Sequence, residues 1–264
     1  MAVVGVDGCK DCWFAIRINH LDHGGWETRV FRNIAALFNE WSDASLILID
    51  APIGLPDSTR PSRAADRLAR KALGGRGTTV FSAPGRAAID EFRLGGYQRF
   101  RAGLDANRRE LGKGLNKQTW GIVPKIGEVD EFLRSREAAR VKIREVHPEL
   151  CFWGFNGGQA MPQSKKTEEG IAERQQVLRS IEPMAEPIWQ DALSRNLLGV
   201  KLDDVLDALA AALTAVQEHS ALGDLQTLPL DAEHDAFGLP MEMLYRPLRG
   251  RENSLSSQIQ LAGL

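Results

Sequence analysis

The chain has 264 residues, 43% hydrophobic and 26% charged, with a formal net charge of −2, which suits one large α/β domain with an insertion or two small domains. No run approaches the ~18 apolar residues of a spanning helix, and the amino terminus lacks the basic start and apolar stretch of a secretory signal, so a cytoplasmic protein without a membrane partner is expected. Global charge gives no pull toward nucleic acid, yet residues 60 to 125 hold 15 Lys and Arg against 5 Asp and Glu, or +10, leaving −12 elsewhere.

Ala2 to Gly8, AVVGVDG, is a β-branched apolar run closing on an acid and a glycine, which predicts a buried central strand presenting Asp7 at its tip. An ionised carboxylate there needs a partner or a metal. Cys12 to Asn19 and Trp26 to Phe31 read as two further strands joined by the turn His20 to Gly25, giving a three-strand meander. Cys9 and Cys12 lack the second pair of a zinc site, and with Cys151 they read as structural or incidental thiols. Ile34, Leu37, Phe38 and Trp41 recur at helical spacing, and Ser45 to Asp50 is a second acid-tipped strand. A crossover of this length places it parallel to the first, so Asp7 and Asp50 point from one sheet edge. Ala51 to Pro56, with two prolines, is a rim loop.

Residues 57–136 read as a basic helical insertion with helices over 61–73, 87–94, 97–111 and 125–136. Its Gly74 to Thr79 stretch, GGRGTT, lacks the Lys-Ser/Thr ending of a nucleotide P-loop. Val141 to His147 returns to strand character, and continued extension would put Glu145, His147 and Glu149 on one face. His147 reads as a general base or, preferred, as a core histidine satisfied by a neighbour. Helices are predicted over 167–181, 188–197 and 202–219, the last with a continuous apolar stripe. Met241 to Tyr245 would add a short edge strand, and Arg249 to Leu264 would be poorly ordered. The chain thus divides into an α/β core (1–56 and 137–247), the insertion, and a tail (248–264). In the last long helix Asp203 reads as a helix-capping acid, whereas Asp207, a full turn in, is better explained as a site residue beside Asp204. Small Ala208 and Ala211 would let this helix come close to the sheet.

The order of meander, helix, acid-tipped strand and a late Asp-x-x-Asp-Ala-Leu-Ala helix resembles the RNase H-like superfamily, and DVLDALA at Asp204 to Ala210 is especially similar to RuvC-type resolvases. More closely, VGVDGC, LIDAPIGLP, RGTTVFSAP, WGIVPKIGEVDEF, REVHPEL, SKKTEEG and DDVLDALAAA together resemble a family of unknown function catalogued as predicted RNase H-like nucleases, to about Pro247. Where that pattern has Arg or Lys before Gly-Gly-Trp, this chain has Lys10-Asp11-Cys12-Trp13, which leaves the acids intact. The resemblance implies an RNase H-like mixed five-stranded sheet, three meander strands plus parallel strands, flanked by helices.

Phosphodiester hydrolysis by water asks for carboxylates holding two divalent ions, Mg2+ or Mn2+. Asp7 would bridge both ions. By resemblance Asp50 completes one shell, while Asp204 and Asp207 complete the other. Glu145 is a fifth candidate, weighed against a paired strand-end acid. A nucleic-acid partner would draw phosphate contacts from Arg63, Arg67, Arg70, Arg76, Lys125, Lys165 and Lys166. A divalent-metal-dependent nuclease is therefore expected, with a phosphotransferase of the actin-like superfold and a non-catalytic nucleic-acid or protein-binding module as alternatives.

Overall fold

The computed structural model describes residues 1–20 and 25–251. Strands β1 (Val3–Gly8), β2 (Trp13–His20) and β3 (Gly25–Phe31) form the meander, and helix α1 (Ile34–Glu40) leads into β4 (Leu46–Ile49). The middle of the chain is helical: α2 (Ala64–Leu73), α3 (Arg86–Gly95), α4 (Phe100–Leu111), α5 (Lys117–Ser135) and the short α6 (Glu137–Arg140). Then come β5 (Ile143–Glu145), α7 (Pro148–Phe155), α8 (Glu168–Ile181), α9 (Ala185–Ser194), α10 (Leu202–Ala215) and a hairpin of β6 (Gln226–His234) and β7 (Pro240–Tyr245). The central sheet runs β3-β2-β1-β4-β5. Its first three strands pair antiparallel, and β4 and β5 add on in parallel. This is the mixed five-stranded sheet expected from the sequence.

Both faces of the sheet are covered, which explains the nearly continuous apolar strands. Side chains alternate across a strand: Val4, Val6, Ile47 and Ile49 face a core shared with α1 and α5, while Val3 and Leu48 face the core built with α7 to α10. By the same alternation Gly5 and Asp7 follow Val3, and Asp50 follows Leu48, so both acids turn toward α10. A Cβ on Gly5 would lie 2.1 Å from the Ala208 carbonyl oxygen and 2.1 Å from the Ala212 nitrogen. Glycine on the strand and alanines on the helix together permit the close approach that brings α10 to the strand tips.

Segment 57–136 is helical but not detached. Helix α2 packs its Ala65, Ala69 and Leu73 with Leu150 and Trp153 of α7 and with the β6–β7 hairpin. The second half of α5 covers the sheet through Val129, Phe132 and Leu133, and its first half joins α3 in a smaller core around Trp120.

Among the elements that depart from the sequence expectations, four bear on how the site is framed. Helix α5 starts at Lys117, not near 125: Asn116 caps it by accepting from Thr119 N at 2.6 Å, and buried Trp120 and Val123 hold the turns before Pro124. The strand after 141 ends at Glu145, and Pro148 opens α7, where its missing N–H costs nothing. Glu149 is therefore helical and does not continue a strand face with Glu145. Helix α10 ends at Ala215 rather than His219. Residues 241–245 pair with β6 in a separate hairpin, touching the main sheet only through a Val146–Leu244 bridge. Of the tail expected to be poorly ordered, Arg249 is tied by its backbone N–H to the Ala221 carbonyl. Residues 252–264, like 21–24 of the expected turn, lie outside the described residues.

Candidate active site

Asp7 at the tip of β1, Asp50 just beyond β4 and Asp207 on α10 converge at the carboxyl edge of the sheet. Asp7 and Asp207 are only 6% and 1% exposed, and Asp50 is half-buried. Burial, then the charges of Asp207 and Asp50, push the Asp7 carboxyl well above the usual range. Burial likewise carries Asp207 up to about 6, against the pull of Lys165. The Lys165 ammonium, on the loop before α8, donates to Asp207 Oδ2. Burial works against this ammonium, but the attraction of Asp207, Asp7 and Asp50 outweighs it and holds it protonated.

Asp7 and Asp50 open onto a cleft of about 500 Å³, whose walls include Arg76, Lys125, His147, Glu149 and Lys165, the partner of Asp207. Buried polar atoms without a hydrogen-bond partner gather around it: Arg76 Nε, His147 Nδ1, Glu149 Oε2 and Asp207 Oδ1. Interiors satisfy most such atoms, and the others among the described residues belong to Arg63, Asp66, Arg174, His219 and Arg246. Their concentration here marks a surface built for contacts that the chain itself does not supply.

Asp204 sits on the adjacent turn of α10. Its Oδ2 accepts from Lys201 N at 2.8 Å, so Asp204, rather than the expected Asp203, caps the helix. Burial raises its carboxyl despite that bond.

The other expected site residues separate into three groups. Arg76 and Lys166 line the acid cleft as phosphate contacts would. Lys125 lines it too, but its ammonium donates to the Cys12 carbonyl at 2.6 Å and lies 4.1 Å from the Trp13 ring centre. Arg63 cannot meet a phosphate in the acid cleft: it is fully buried, its guanidinium donates to Glu145 Oε2 at 2.5 Å and stands 3.4 Å from Asp66. Glu145, whose Oε2 also accepts from Ile53 N at 2.6 Å, is the paired strand-end acid rather than a free ligand; burial pushes it up to about 8 against the Arg63 charge. Arg67 and Arg70 border a different cleft.

His147 is a correction of emphasis. Its Nε2 lies 3.3 Å from the Thr79 carbonyl oxygen, but the ring stands in the cleft wall with Nδ1 unpartnered, so it is not a satisfied core histidine. Glu149, expected on one face with Glu145 and His147 as a candidate member of the acid cluster, stands in the cleft wall from the first turn of α7. Its Oε1 accepts from Arg174 at 2.5 Å, and Arg76 stands 4.0 Å away. The signal was His147-Pro148-Glu149: proline opening a helix puts the next acid in its first turn, beside the strand tips.

Magnesium or manganese would take hard carboxylate oxygens. Asp7, Asp50 and Asp207 offer them, and Asp207 Oδ1 is buried and free. With the side chains as they stand, however, no three His, Cys, Asp or Glu among the described residues are grouped to hold an ion, and Lys165 already neutralises Asp207. Were Lys165 withdrawn, Asp7, Asp50 and Asp207 would be the oxygen donors available to a cation.

Among protein-family models, that described as Protein of unknown function (DUF429) matches residues 5–234. Neither the curated proteins nor the solved structures contain a match.

Proposed function

The chain belongs to the family described as Protein of unknown function (DUF429), and since that description assigns no chemistry we propose from the site itself that the protein is a divalent-metal-dependent hydrolase of phosphodiester bonds in nucleic acid. The observation that carries this reading is the convergence of Asp7, Asp50 and Asp207 on one protonated amine at the sheet edge. Carboxylates crowded this closely repel each other, an arrangement that costs stability and is kept where a cation is required.

Asp7, Asp50 and Asp207 would hold Mg2+ or Mn2+, which supplies charge stabilisation at the phosphate and a nucleophile at neutral pH. Lys165, displaced from Asp207, stays within the cleft and pairs with a non-bridging phosphate oxygen. Arg76 and Lys166 hold the flanking backbone by charge. His147 Nδ1 has no partner of its own and is available to move a proton at the leaving oxygen.

A second reading has its own observation. Because Lys165 already pairs with Asp207, a nucleic-acid-binding module that needs no metal to hold this site together is the alternative. Incubation of labelled single- and double-stranded oligonucleotides with Mg2+ or Mn2+ separates the two: cleavage that Asp7→Asn abolishes supports the hydrolase, and binding without cleavage under both ions supports the module.

A further inference from the structure

Arg67 and Arg70 border a second cleft of about 580 Å³, between α2, α4 and the start of α5. Five cationic side chains line it, Arg63, Arg67, Arg70, Arg108 and Lys113, against one carboxylate, Asp66. That carboxylate is turned inward: Asp66 Oδ2 accepts from Ala83 N at 3.1 Å, and its Oδ1 faces Arg63. Arg108 stands 3.6 Å from the exposed Asp105 carboxylate, a solvated contact, and no other acid besides Asp66 lines the cleft. Arg63 supplies an independent sign of a ligand, since it is fully buried and its Nε has no hydrogen-bond partner at the cleft wall, while its Nη1 stands 3.4 Å from Asp66 Oδ1.

The rim is held in shape. Asn107 accepts from Gly85 N at 2.9 Å and donates to the Lys113 carbonyl at 3.0 Å, fixing the turn that carries Lys113 against α4. Arg70 donates to the Val80 carbonyl and to Ser82 Oγ, both at 2.8 Å. Arg67, Arg108 and Lys113 remain exposed and able to reorient. Besides the cations, Leu104, Leu111 and Leu115 give the lining an apolar part. A cleft of several hundred Å³ with an apolar part and convergent cations suits a small, anionic, partly flat ligand.

We infer that this cleft binds a nucleoside phosphate, the phosphate on Arg67, Arg70, Arg108 and Lys113 and the base over the leucines. The same moiety occurs in a free mononucleotide and at the phosphorylated end of a strand. The two clefts share a wall, because Arg63 of this one donates to Glu145 of the acid cleft, so a strand end seated here leads toward the acids. The inference does not depend on hydrolysis at the acid site.

Calorimetric titration of the full chain at low salt, without metal, tests it with 5′-AMP, adenosine and a 5′-phosphorylated tetranucleotide. The expected result is that 5′-AMP binds at least 10-fold more tightly than adenosine. Arg67→Ala with Arg108→Ala, both exposed, should weaken binding at least 10-fold with an unchanged melting temperature, whereas Asp7→Asn in the other cleft should leave it unaltered. A tetranucleotide at least 10-fold tighter than 5′-AMP identifies a strand end as the ligand, and equal affinities identify a free nucleotide; either supports the cleft. Absence of binding by all three, adenosine binding as well as 5′-AMP, or full affinity in the double arginine variant overturns it. Loss of metal-dependent cleavage in Asp7→Asn with nucleotide binding intact keeps this result separate from that of the acid site.

Discussion

Glu145 and Asp207 are both carboxylates buried near the carboxyl edge of one sheet, each with a basic partner, yet their surroundings differ in kind. Glu145 meets Arg63, which is itself fully buried, and accepts a backbone N–H from Ile53 as well. Asp207 meets Lys165, a third exposed and carried on a loop, while its other oxygen has no partner and Asp7 and Asp50 crowd it. The first arrangement is closed and holds the rim loop and α2 to the sheet. The second is open at one oxygen and held by a cation that can leave. Burial alone does not separate structural from functional acids; what separates them is whether the partner is locked and the remaining lone pairs are used.

The largest expected effect tests the closed pair. Arg63→Ala leaves Glu145 buried without its cation and should cost about 3–5 kcal/mol in urea unfolding, as for a buried ion pair broken on one side. Arg63→Met combined with Glu145→Gln removes both charges and should recover most of that loss. If the single change costs less than about 1 kcal/mol, within the range of an exposed pair, the closed arrangement does not exist as described.

Asp207 should behave differently, through its response to pH and metal. Its carboxyl lies at about 6 in the folded state against an ordinary 3.8, so the folded chain holds the proton more tightly than the unfolded one. The stability it contributes is full below about pH 4 and is lost as the pH rises through about 6. Unfolding midpoints of the metal-free protein should therefore fall between pH 4 and 6, and Asp207→Asn should flatten part of that fall. The part that persists should include Glu145, whose raised value acts in the same direction up to about pH 8. Mg2+ needs the ionised acids, so its stabilisation should grow across the same window and reach about 2.7 kcal/mol at 100-fold excess over Kd. A stabilisation equal at pH 5 and pH 7, or none in millimolar Mg2+ and Mn2+, would break the contrast with Glu145.

The sheet was legible because short, nearly continuous apolar runs ending in Asp7 and Asp50 encode both burial and direction, and small Ala208 and Ala211 announced a close helix approach, which is made at Ala208 and Ala212. Its counterpart on the strand, Gly5, carries the other half of that signal, since a glycine amid valines in a buried strand marks where another backbone comes near. Local signals failed where distant packing decided. Pro124 argues against a helix interior that Trp120 and Val123 nonetheless hold by burial, and the set Arg63, Arg67 and Arg70 was expected to contact phosphate. Its first member is buried against Glu145, 82 residues away, a pairing no spacing rule contains. Lys165 was likewise legible only as one of several phosphate contacts, because its pairing with Asp207 depends on α10 and the loop before α8 meeting at one point.

The smallest expected effect concerns Asp204, which lies between the two cases. It is half-buried, and its carboxylate caps α10 through Lys201 N, yet it also stands near enough to raise the Asp7 carboxyl. A cap and a metal contact make different demands: the cap uses one acceptor and is worth about 1 kcal/mol when replaced by alanine, whereas a ligand contributes to ion affinity. Asp204→Asn keeps an acceptor for Lys201 and removes the charge. If Asp204 only caps, alanine should lower stability by about 1 kcal/mol, asparagine by clearly less, and the Mg2+ midpoint should move in neither. If it also faces the ion, both variants should shift that midpoint several-fold, asparagine included, and α10 then supplies two acids to the open cluster instead of one.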